Sequence, residues 1–389
     1  MSVDLVVGPG SIHALPAVAA RCSLQPRAGA RTAVVIGGGF DDRPWAADVR
    51  RAVGELRPAW ITHQGEVRPA GVAALARQLR DCHAEVVVAV GGGSVLDAAK
   101  AAVTLTGGVE LDAAAVTAAC TGRATPPPTP VRLVAVPTTA GTGAEVTPFA
   151  TVWQRDPHRK LSLGTAPPAA ALLDPDLLGG LTAAQCAAGL LDTLCQGAEA
   201  AWSLRATAES TAYGLAAVTL AGSLLERLGA GPPDAAVRMV LQSAGHLSGR
   251  AIALAPTTVV HALSYPLTLH AGLAHGHACG VTFGRILRFN AAVTDDDCAD
   301  PRGPDRVRDV VARIVAALGA SDAPDADKRI EAFLDRHGLA TLDRIPYSPE
   351  HLAREALAYP RSADNPRRLD LPGLTRWLAS RRDAEEPCR

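Results

Sequence analysis

The chain has 389 residues, of which 48% are hydrophobic and 4% aromatic, and its 38 Lys and Arg nearly balance its 39 Asp and Glu. This length predicts two domains in a well-buried globular protein. Without a basic block, the balanced charge argues against a nucleic-acid partner. The first residues lack signal-peptide features and no apolar run approaches the roughly 18 residues of a membrane span, so we expect a cytoplasmic protein with no membrane partner.

Short β-branched runs alternate with amphipathic Ala- and Leu-rich stretches in the first half of the chain. The strand candidates are "DLVV", "RTAVVIGGG", "PAWITH", "AEVVVAVGGGS" and "VRLVAVPTT". This alternation predicts a parallel sheet covered by helices. After "LLDPDLLGGL" helical patterns dominate. We therefore divide the chain into an α/β domain over residues 1–180 and an all-α domain over residues 181–389.

Two glycine clusters follow predicted strands. Residues 37–39 fit a tight turn as well as a nucleotide site. Residues 91–94, in "VAVGGGSVLDAAK", lie between a buried strand and a helix, where free N–H groups and the helix dipole would face a phosphate. Neither cluster is a GxGxxG or Walker fingerprint. Asp97 is either a capping-box acid or a cofactor contact, and Lys100 is expected to be a solvated helix lysine.

A third loop, in "AVPTTAGTGAEVTPFATV", also follows a predicted strand. Thr138, Thr139 and Thr142 offer hydroxyl groups suited to ribose and phosphate oxygens, although single threonines often only form turns. Three such loops at the carboxyl ends of strands outline one crevice, which is where open α/β sheets bind ligands.

The stretch "VVHALSYPLTLHAGLAHGHACG" and the upstream "GLLDTLCQGAEA" predict a metal centre in the second half. Asp192 and Gln196 stand at i and i+4, on one face of a helix, and His261 and His275 lie fourteen residues apart. One carboxylate, one amide oxygen and two imidazoles can enclose a divalent ion with open positions for a substrate oxygen. We interpret this as the catalytic centre.

Eight cysteines are scattered without a CxxC pair, which indicates neither a disulfide framework nor a zinc ribbon. Cys195 and Cys279 fall near the proposed ligands. We interpret both as small apolar residues that stay reduced.

The motifs together resemble the iron-containing (group III) alcohol dehydrogenases, a family related to glycerol dehydrogenase, maleylacetate reductase and dehydroquinate synthase. The matching pieces, in family order, include "VVGPGSIHALP", "GGGSVLDAAKA", "VPTTAGTGAEVTPFATV", "GLLDTLCQGAEA", "HALSYPL", "LAHGHACGVTFGRILRFN" and "ADNPRRLDLPGL". They cover nearly the whole chain. The resemblance implies this family's two-domain, dehydroquinate synthase-like architecture and a homodimer. In this architecture, residues 1–180 would form a Rossmann-like, dinucleotide-binding domain and residues 181–389 a helical domain that binds the metal and the substrate.

The resemblance also implies roles for individual positions. The cofactor would be held by Gly38, Gly91, Gly92, Gly93, Ser94, Thr138, Thr139 and Thr142, with Asp97 near the nicotinamide. The metal ligands would be Asp192, Gln196, His261 and His275. The proton would come from Tyr265, His277 or a bound water.

Two positions depart from the family pattern. Gln196 stands where the family usually has a ligand histidine, and an amide oxygen is a poorer ligand than imidazole for Fe(II) or Zn(II). Tyr265 replaces a histidine near the reacting carbonyl, and a phenol, with an ordinary pKa of about 10, needs a nearby positive charge to donate near neutrality. Tyr265 is alternatively a buried core tyrosine.

The cofactor and metal remain open between alternatives. Gly38 stands where the family often has an acid that repels a 2′-phosphate, so NADPH is admitted, with Arg43 as a possible phosphate partner. Asp41 and Asp42 argue for NADH. For the metal we favour Fe(II) over Zn(II).

Within the family, "TTVVHALSYPLT", "AHGHACGVTFG" and "DTLCQGAEAAWS" most resemble the phosphonoacetaldehyde reductase branch. We therefore expect metal-assisted, NAD(P)H-dependent reduction of a small, anionic aldehyde to a primary alcohol. The alternatives are a general alcohol dehydrogenase, a maleylacetate-type reductase, a dehydroquinate synthase-like cyclase, or a binding protein that has lost the metal through Gln196.

Overall fold

The computed structural model describes residues 3–23, 31–108, 110–156 and 158–380, so Cys388 lies outside the described residues. The chain divides into two compact units, Met1–Leu181 and Thr182–Arg389. The first unit combines strands and helices, and the second is built from helices.

A six-stranded sheet organises the first unit. The strands of this unit, in chain order, are β1 (Asp4–Val7), β2 (Thr32–Gly37), β3 (Ala59–His63), β4 (Val86–Gly91), β5 (Arg132–Pro137), β6 (Phe149–Arg155), β7 (His158–Gly164) and β8 (Ala170–Leu173). The sheet order is β1-β8-β5-β4-β2-β3, and all its neighbouring pairs are parallel. The predicted parallel sheet is confirmed. The sequence analysis does not predict strand β8 of this sheet, nor the antiparallel hairpin that β6 and β7 form.

Helices cover both faces of this sheet. They are α1 (Leu15–Cys22), α2 (Ala46–Gly54), α3 (Pro69–Asp81), α4 (Gly93–Leu105) and α5 (Ala113–Cys120). Strand β4 shows the resulting pattern, because its alternate residues enter two separate cores. Val86 and Val88 pack with α1 and α2, whereas Val87 and Ala89 pack with α3, α4 and α5. A strand buried on both faces reads as a continuous apolar run.

The second unit contains nine α-helices within its described residues. They are α6 (Ala183–Trp202), α7 (Ala208–Gly222), α8 (Ala235–Leu254), α9 (Val259–Ala271), α10 (His275–Ala291), α11 (Pro304–Ala317), α12 (Ala323–Arg336), α13 (Pro349–Leu357) and α14 (Leu371–Ala379). Helix α6 starts at a capping box between Thr182 and Gln185 and packs against α7, α8 and α10. Its central position buries most of its residues, including polar ones.

Among the described residues, no helix taken singly has the length and apolar character to cross a membrane. Helices α8 and α9 satisfy both criteria only as a pair, and they are bent by 110° at the break between them. Nine consecutive residues of α9, from Val259 to Leu267, are buried in the protein.

Candidate active site

Three loops lie side by side at the carboxyl edge of the sheet in the first unit. They follow β2, β4 and β5, which are neighbours in the sheet. The loops after β4 and β5 are joined by a hydrogen bond of 3.0 Å from Thr138 N–H to the carbonyl oxygen of Gly91. The chain reverses its direction of winding between β2 and β4, which makes this edge a topological switch point where doubly wound sheets bind ligands.

The glycines after β4 are packed too tightly to accept side chains. A Cβ on Gly91 would lie 2.6 Å from the side chain of Val95, and one on Gly93 would lie 2.7 Å from that of Thr142. A Cβ on Gly92 would lie 3.1 Å from the Thr139 side chain. Gly92 is also the N-cap of α4 and brings no side chain to cap it, so a phosphate can use the first-turn N–H groups.

The structure corrects two expectations for α4. Lys100 is not solvated: it is 1% exposed, and its ammonium group lies 2.9 Å from Asp97 Oδ1 and donates to Thr147 Oγ1 at 2.9 Å. Asp97 is not a capping-box acid, because its Oδ2 accepts a hydrogen bond from Thr151 N–H at 3.0 Å. The pair ties α4 to the segment that leads into β6.

The loop after β2 carries no acidic side chain at Gly38, which is exposed. A Cβ there would make an ordinary contact of 3.4 Å with Gln64. Asp41 is paired with Arg50 at 2.5 Å, and Arg43 donates to the carbonyl oxygen of Gly180 at 2.8 Å. The roles of these residues toward a cofactor stay predictions.

In the second unit, three helices bring predicted metal ligands together. Asp192 comes from α6, His261 from α9, and His275 from the first residue of α10. His261 Nε2 lies 3.5 Å from Asp192 Oδ1, and His275 Nε2 lies 3.9 Å from the same oxygen. The two imidazole centroids are 5.4 Å apart. The side chains of Asp192 and His261 are about 5% exposed or less, whereas that of His275 is 29% exposed, so the cluster opens at His275.

A fourth donor in this cluster is the thiol of Cys279, which the sequence analysis interprets as a small apolar residue. One ligand atom each from Asp192, His261, His275 and Cys279 lies within 4.8 Å of all the others. Gln196, the predicted fourth ligand, is 4% exposed on α6, and its Oε1 accepts a hydrogen bond from Ser248 Oγ at 2.9 Å.

Glu199 contacts His261 at Nδ1, the ring nitrogen that does not face Asp192. It is the main functional residue that the sequence analysis misses. Its buried carboxylate contacts His261 Nδ1 through Oε2. Its Oε1 accepts hydrogen bonds from the N–H and hydroxyl of Thr258, both at 2.8 Å, and from Val260 N–H at 2.9 Å. A carboxylate on Nδ1 fixes the tautomer that turns the Nε2 lone pair toward a metal. The spacing Asp192, Gln196, Glu199 (i, i+4, i+7) is the signal that identifies it.

Electrostatics distinguish the two buried cysteines near this cluster. Burial opposes protonation of His261, but Cys279 and Glu199 raise the pKa of this imidazole well above its usual value. Burial also opposes ionisation of Cys279, but a hydrogen bond with Cys195 and the charge of His261 lower its thiol pKa well below the usual range. Burial raises the pKa of Cys195. These surroundings therefore favour ionisation of Cys279 over ionisation of Cys195.

The predicted proton donors differ in their surroundings. Tyr265 is 1% exposed, with its ring stacked on that of His275 at 6.2 Å and set edge-on to Tyr359 at 4.8 Å. His277 directs Nε2 to the carbonyl oxygen of Ala340 at 2.7 Å, so Nε2 carries the proton of that hydrogen bond. This bond occupies His277, while Tyr265 adjoins the cluster.

The donor set fits a divalent ion, because two imidazoles and one carboxylate are common to Fe(II) and Zn(II) sites.

Two family models match the chain: iron-containing alcohol dehydrogenase over residues 2–175, and the C-terminal model of the Fe-containing alcohol dehydrogenase family over residues 186–371. The chain belongs to the iron-containing alcohol dehydrogenase family. It is thus an NAD-dependent oxidoreductase of a metal-using family.

Individual relatives extend this result. The chain is 52% identical over 390 residues to a phosphonoacetaldehyde reductase of Streptomyces viridochromogenes, covering 99% of this chain and 98% of the relative. It is 31% identical over 279 residues to a 4-hydroxybutyrate dehydrogenase of Cupriavidus necator, covering 68% of each chain. Among solved structures, sulfoacetaldehyde reductase from Bifidobacterium kashiwanohense in complex with NAD+ matches with a TM-score of 0.80 and 26% identity over 97% of both chains.

Proposed function

We propose that this protein reduces phosphonoacetaldehyde to 2-hydroxyethylphosphonate, with a reduced nicotinamide cofactor as the hydride donor, in the biosynthesis of phosphonate natural products. The observation that carries this proposal is the 52% identity to a phosphonoacetaldehyde reductase along essentially the full length of both chains. The cluster of Asp192, His261 and His275 supports the same chemistry, since it offers ligands to an ion that activates a carbonyl group.

Each residue of the cluster has a defined task in this proposal. Asp192, His261 and His275 hold the metal, and Glu199 orients His261 through its Nδ1. When bound, the metal polarises the aldehyde oxygen and the nicotinamide supplies the hydride. Tyr265 holds the proton for the product oxygen on its phenolic group. The burial of the cluster limits the access of water to the reacting carbon.

The cofactor occupies the carboxyl edge of the sheet in this proposal. Residues 91–93 hold the pyrophosphate with backbone N–H groups, and Ser94, Thr138, Thr139 and Thr142 add hydroxyl groups. Asp97 lies near the nicotinamide. Both NADPH and NADH are accepted, because the loop after β2 has glycine at position 38 and so presents no acid there to repel a 2′-phosphate.

The substrate in this proposal is anionic. The NAD+-bound neighbour is a reductase of sulfoacetaldehyde, which is, like phosphonoacetaldehyde, a two-carbon aldehyde with an anionic acid group. We further propose that the protein acts as a homodimer, which light scattering during size-exclusion chromatography would measure.

The test follows the oxidation of NADPH and of NADH by the metal-loaded protein with phosphonoacetaldehyde and, separately, with acetaldehyde as the matched uncharged substrate. We expect kcat/KM to be far higher for the phosphonate. Equal rates would reduce the function to that of a general alcohol dehydrogenase. If protein shown to bind metal and cofactor reduces neither aldehyde, the proposal is refuted.

A further inference from the structure

We infer that Cys279 is a ligand of the catalytic metal, so that the site is built from Asp192, His261, His275 and Cys279. This inference rests on the proposed function for the presence of a metal. It goes further by assigning the fourth position to a sulfur atom and by leaving Gln196 outside the coordination sphere.

The geometry of α10 places the sulfur where a ligand is needed. His275 and Cys279 stand at i and i+4, so both side chains lie on one face of the helix. Cys279 is fully buried, and its Sγ lies within 4.8 Å of the ligand atoms of Asp192, His261 and His275. Three elements therefore converge on one point with four donor atoms, which is the number in structural zinc sites, and a substrate oxygen would be a fifth ligand, a coordination number that some catalytic zinc sites reach in the transition state.

Two glycines on α10 make this convergence possible. A Cβ on Gly276 would clash with the carbonyl oxygen of Ala188 and would lie 3.0 Å from the Cβ of Asp192. A Cβ on Gly280 would lie 2.7 Å from the side chain of Leu191. Because these residues flank the Cys279 turn, the backbone of α10 approaches α6 closely there. The approach carries Sγ toward the Asp192 carboxylate.

Gln196 is the weaker competitor for the fourth position. Its Oε1 lies 2.9 Å from the Ser248 hydroxyl, whose single proton is shared between this oxygen and the carbonyl oxygen of Gly245 at 2.8 Å. A neutral amide oxygen binds a transition metal less strongly than a thiolate does. The chain thus lacks the usual histidine of its family at position 196 and offers a better donor from the neighbouring helix.

A thiolate in the coordination sphere changes the expected metal. A dication with one carboxylate, one thiolate and two neutral imidazoles forms a site of zero net charge. Thiolate with imidazole is a donor set typical of Zn(II). We therefore expect Zn(II) to be preferred over Fe(II). The aldehyde oxygen would enter on the side of His275, where the cluster is most exposed.

The experiment uses the full-length protein loaded with Zn(II) or with Co(II). Zinc X-ray absorption should show one sulfur at about 2.3 Å in the first shell. Co(II) should give a near-ultraviolet band from thiolate-to-metal charge transfer. Cys279→Ser should lose both signals and bind Zn(II) at least tenfold more weakly. The matched controls, Cys195→Ser and Gln196→Ala, should retain both signals.

Each outcome is decisive for one claim. Bound metal without sulfur in the wild-type shell would overturn the inference and leave the proposed function intact. Loss of the signals in Cys195→Ser but not in Cys279→Ser would also overturn it. Failure of the wild type to bind metal in a folded, cofactor-binding state would refute the proposed function together with the inference. The wild-type spectra decide the question even where a variant does not fold.

Discussion

Replacing Glu199 by glutamine tests the support of the metal cluster most directly. In the wild type, the carboxylate accepts the Nδ1 proton of His261, which leaves the Nε2 lone pair for a metal. Glutamine has nearly the same volume but only one oxygen. Three donors from Thr258 and Val260 would hold that oxygen, so the amide nitrogen would face His261. The imidazole would then carry its proton on Nε2 and could not ligate.

The size of the expected loss of metal affinity follows from the role of carboxylates that hydrogen-bond to ligand histidines. Loss of a carboxylate behind a ligand histidine costs metal affinity by roughly 10–100-fold. This corresponds to about 1.4–2.8 kcal/mol. Because the remaining oxygen of Glu199→Gln still accepts from the backbone, we expect the metal-free variant to fold.

Competition against a chromophoric chelator measures the affinity, and circular dichroism of the metal-free protein checks the fold. Glu226→Gln is the matched control, since the exposed Glu226 pairs only with the half-buried Arg329 among the contacts described for it. An affinity of folded Glu199→Gln within twofold of the wild type would show that the carboxylate does not set the tautomer of His261.

Three further substitutions probe packing, a buried ion pair and pH dependence. Gly276→Ala should separate α10 from α6, lowering the unfolding free energy by about 1–3 kcal/mol and weakening metal binding. Lys100→Met should cost about 3–5 kcal/mol in urea unfolding, because it leaves the Asp97 carboxylate unpaired. Burial alone would raise the pKa of Asp297, but hydrogen bonds from a backbone N–H and from Arg367 hold it below its usual value. Asp297→Asn should therefore be less stable than the wild type at pH 7, and the difference should shrink as the pH falls below about 4 and vanish once the pH is below the lowered pKa of Asp297 in the folded protein.

Each of these variants has a control of the same chemistry. Gly229→Ala adds a methyl group where nothing lies within 4 Å, and Lys160→Met removes a lysine that is only partly buried. Asp296→Asn neutralises the neighbour of Asp297. If a control variant loses as much stability as the variant it is matched to, the assigned contact is contradicted. A difference in stability between Asp297→Asn and the wild type that grows at low pH would also contradict the assignment.

Five of the six strands of the sheet could be predicted from the sequence because their signal is local, whereas β8, which is only four residues long, is not among the predicted strands. The residues of β4 are all apolar since both faces of the strand are covered, and glycines mark the point where the strand ends. The β6–β7 hairpin carries no such signal. Arg159 and Lys160 interrupt its second strand, and the paired residues lie between three (Arg155 and His158) and 15 (Phe149 and Gly164) positions apart in the chain.

The contacts of the site form between distant parts of the chain, so sequence motifs alone could not predict them. In the sequence, Lys100 resembles a surface lysine. In the structure, Thr147 from the segment before β6 covers it and accepts a hydrogen bond from its ammonium group. Cys279 lies 87 positions after Asp192, and its place in the cluster depends on the close approach of α10 to α6. Glu199 is the exception, since helical spacing from Asp192 points to it.

The choice between the two nicotinamide cofactors can be tested at Gly38. A Cβ at this position makes only an ordinary contact with Gln64, so Gly38→Asp should fold normally. If the adenosine ribose lies beside this loop, the new carboxylate would repel a 2′-phosphate and accept a hydrogen bond from a 2′-hydroxyl. We expect KM for NADPH to rise about tenfold or more, or roughly 1.4 kcal/mol, while KM for NADH stays the same or falls. Gly39→Asp is the matched control, because a Cβ there meets nothing within 4 Å. Equal changes for both cofactors would place the ribose elsewhere, and a smaller change in Gly38→Asp than in the control would remove Gly38 from the cofactor site.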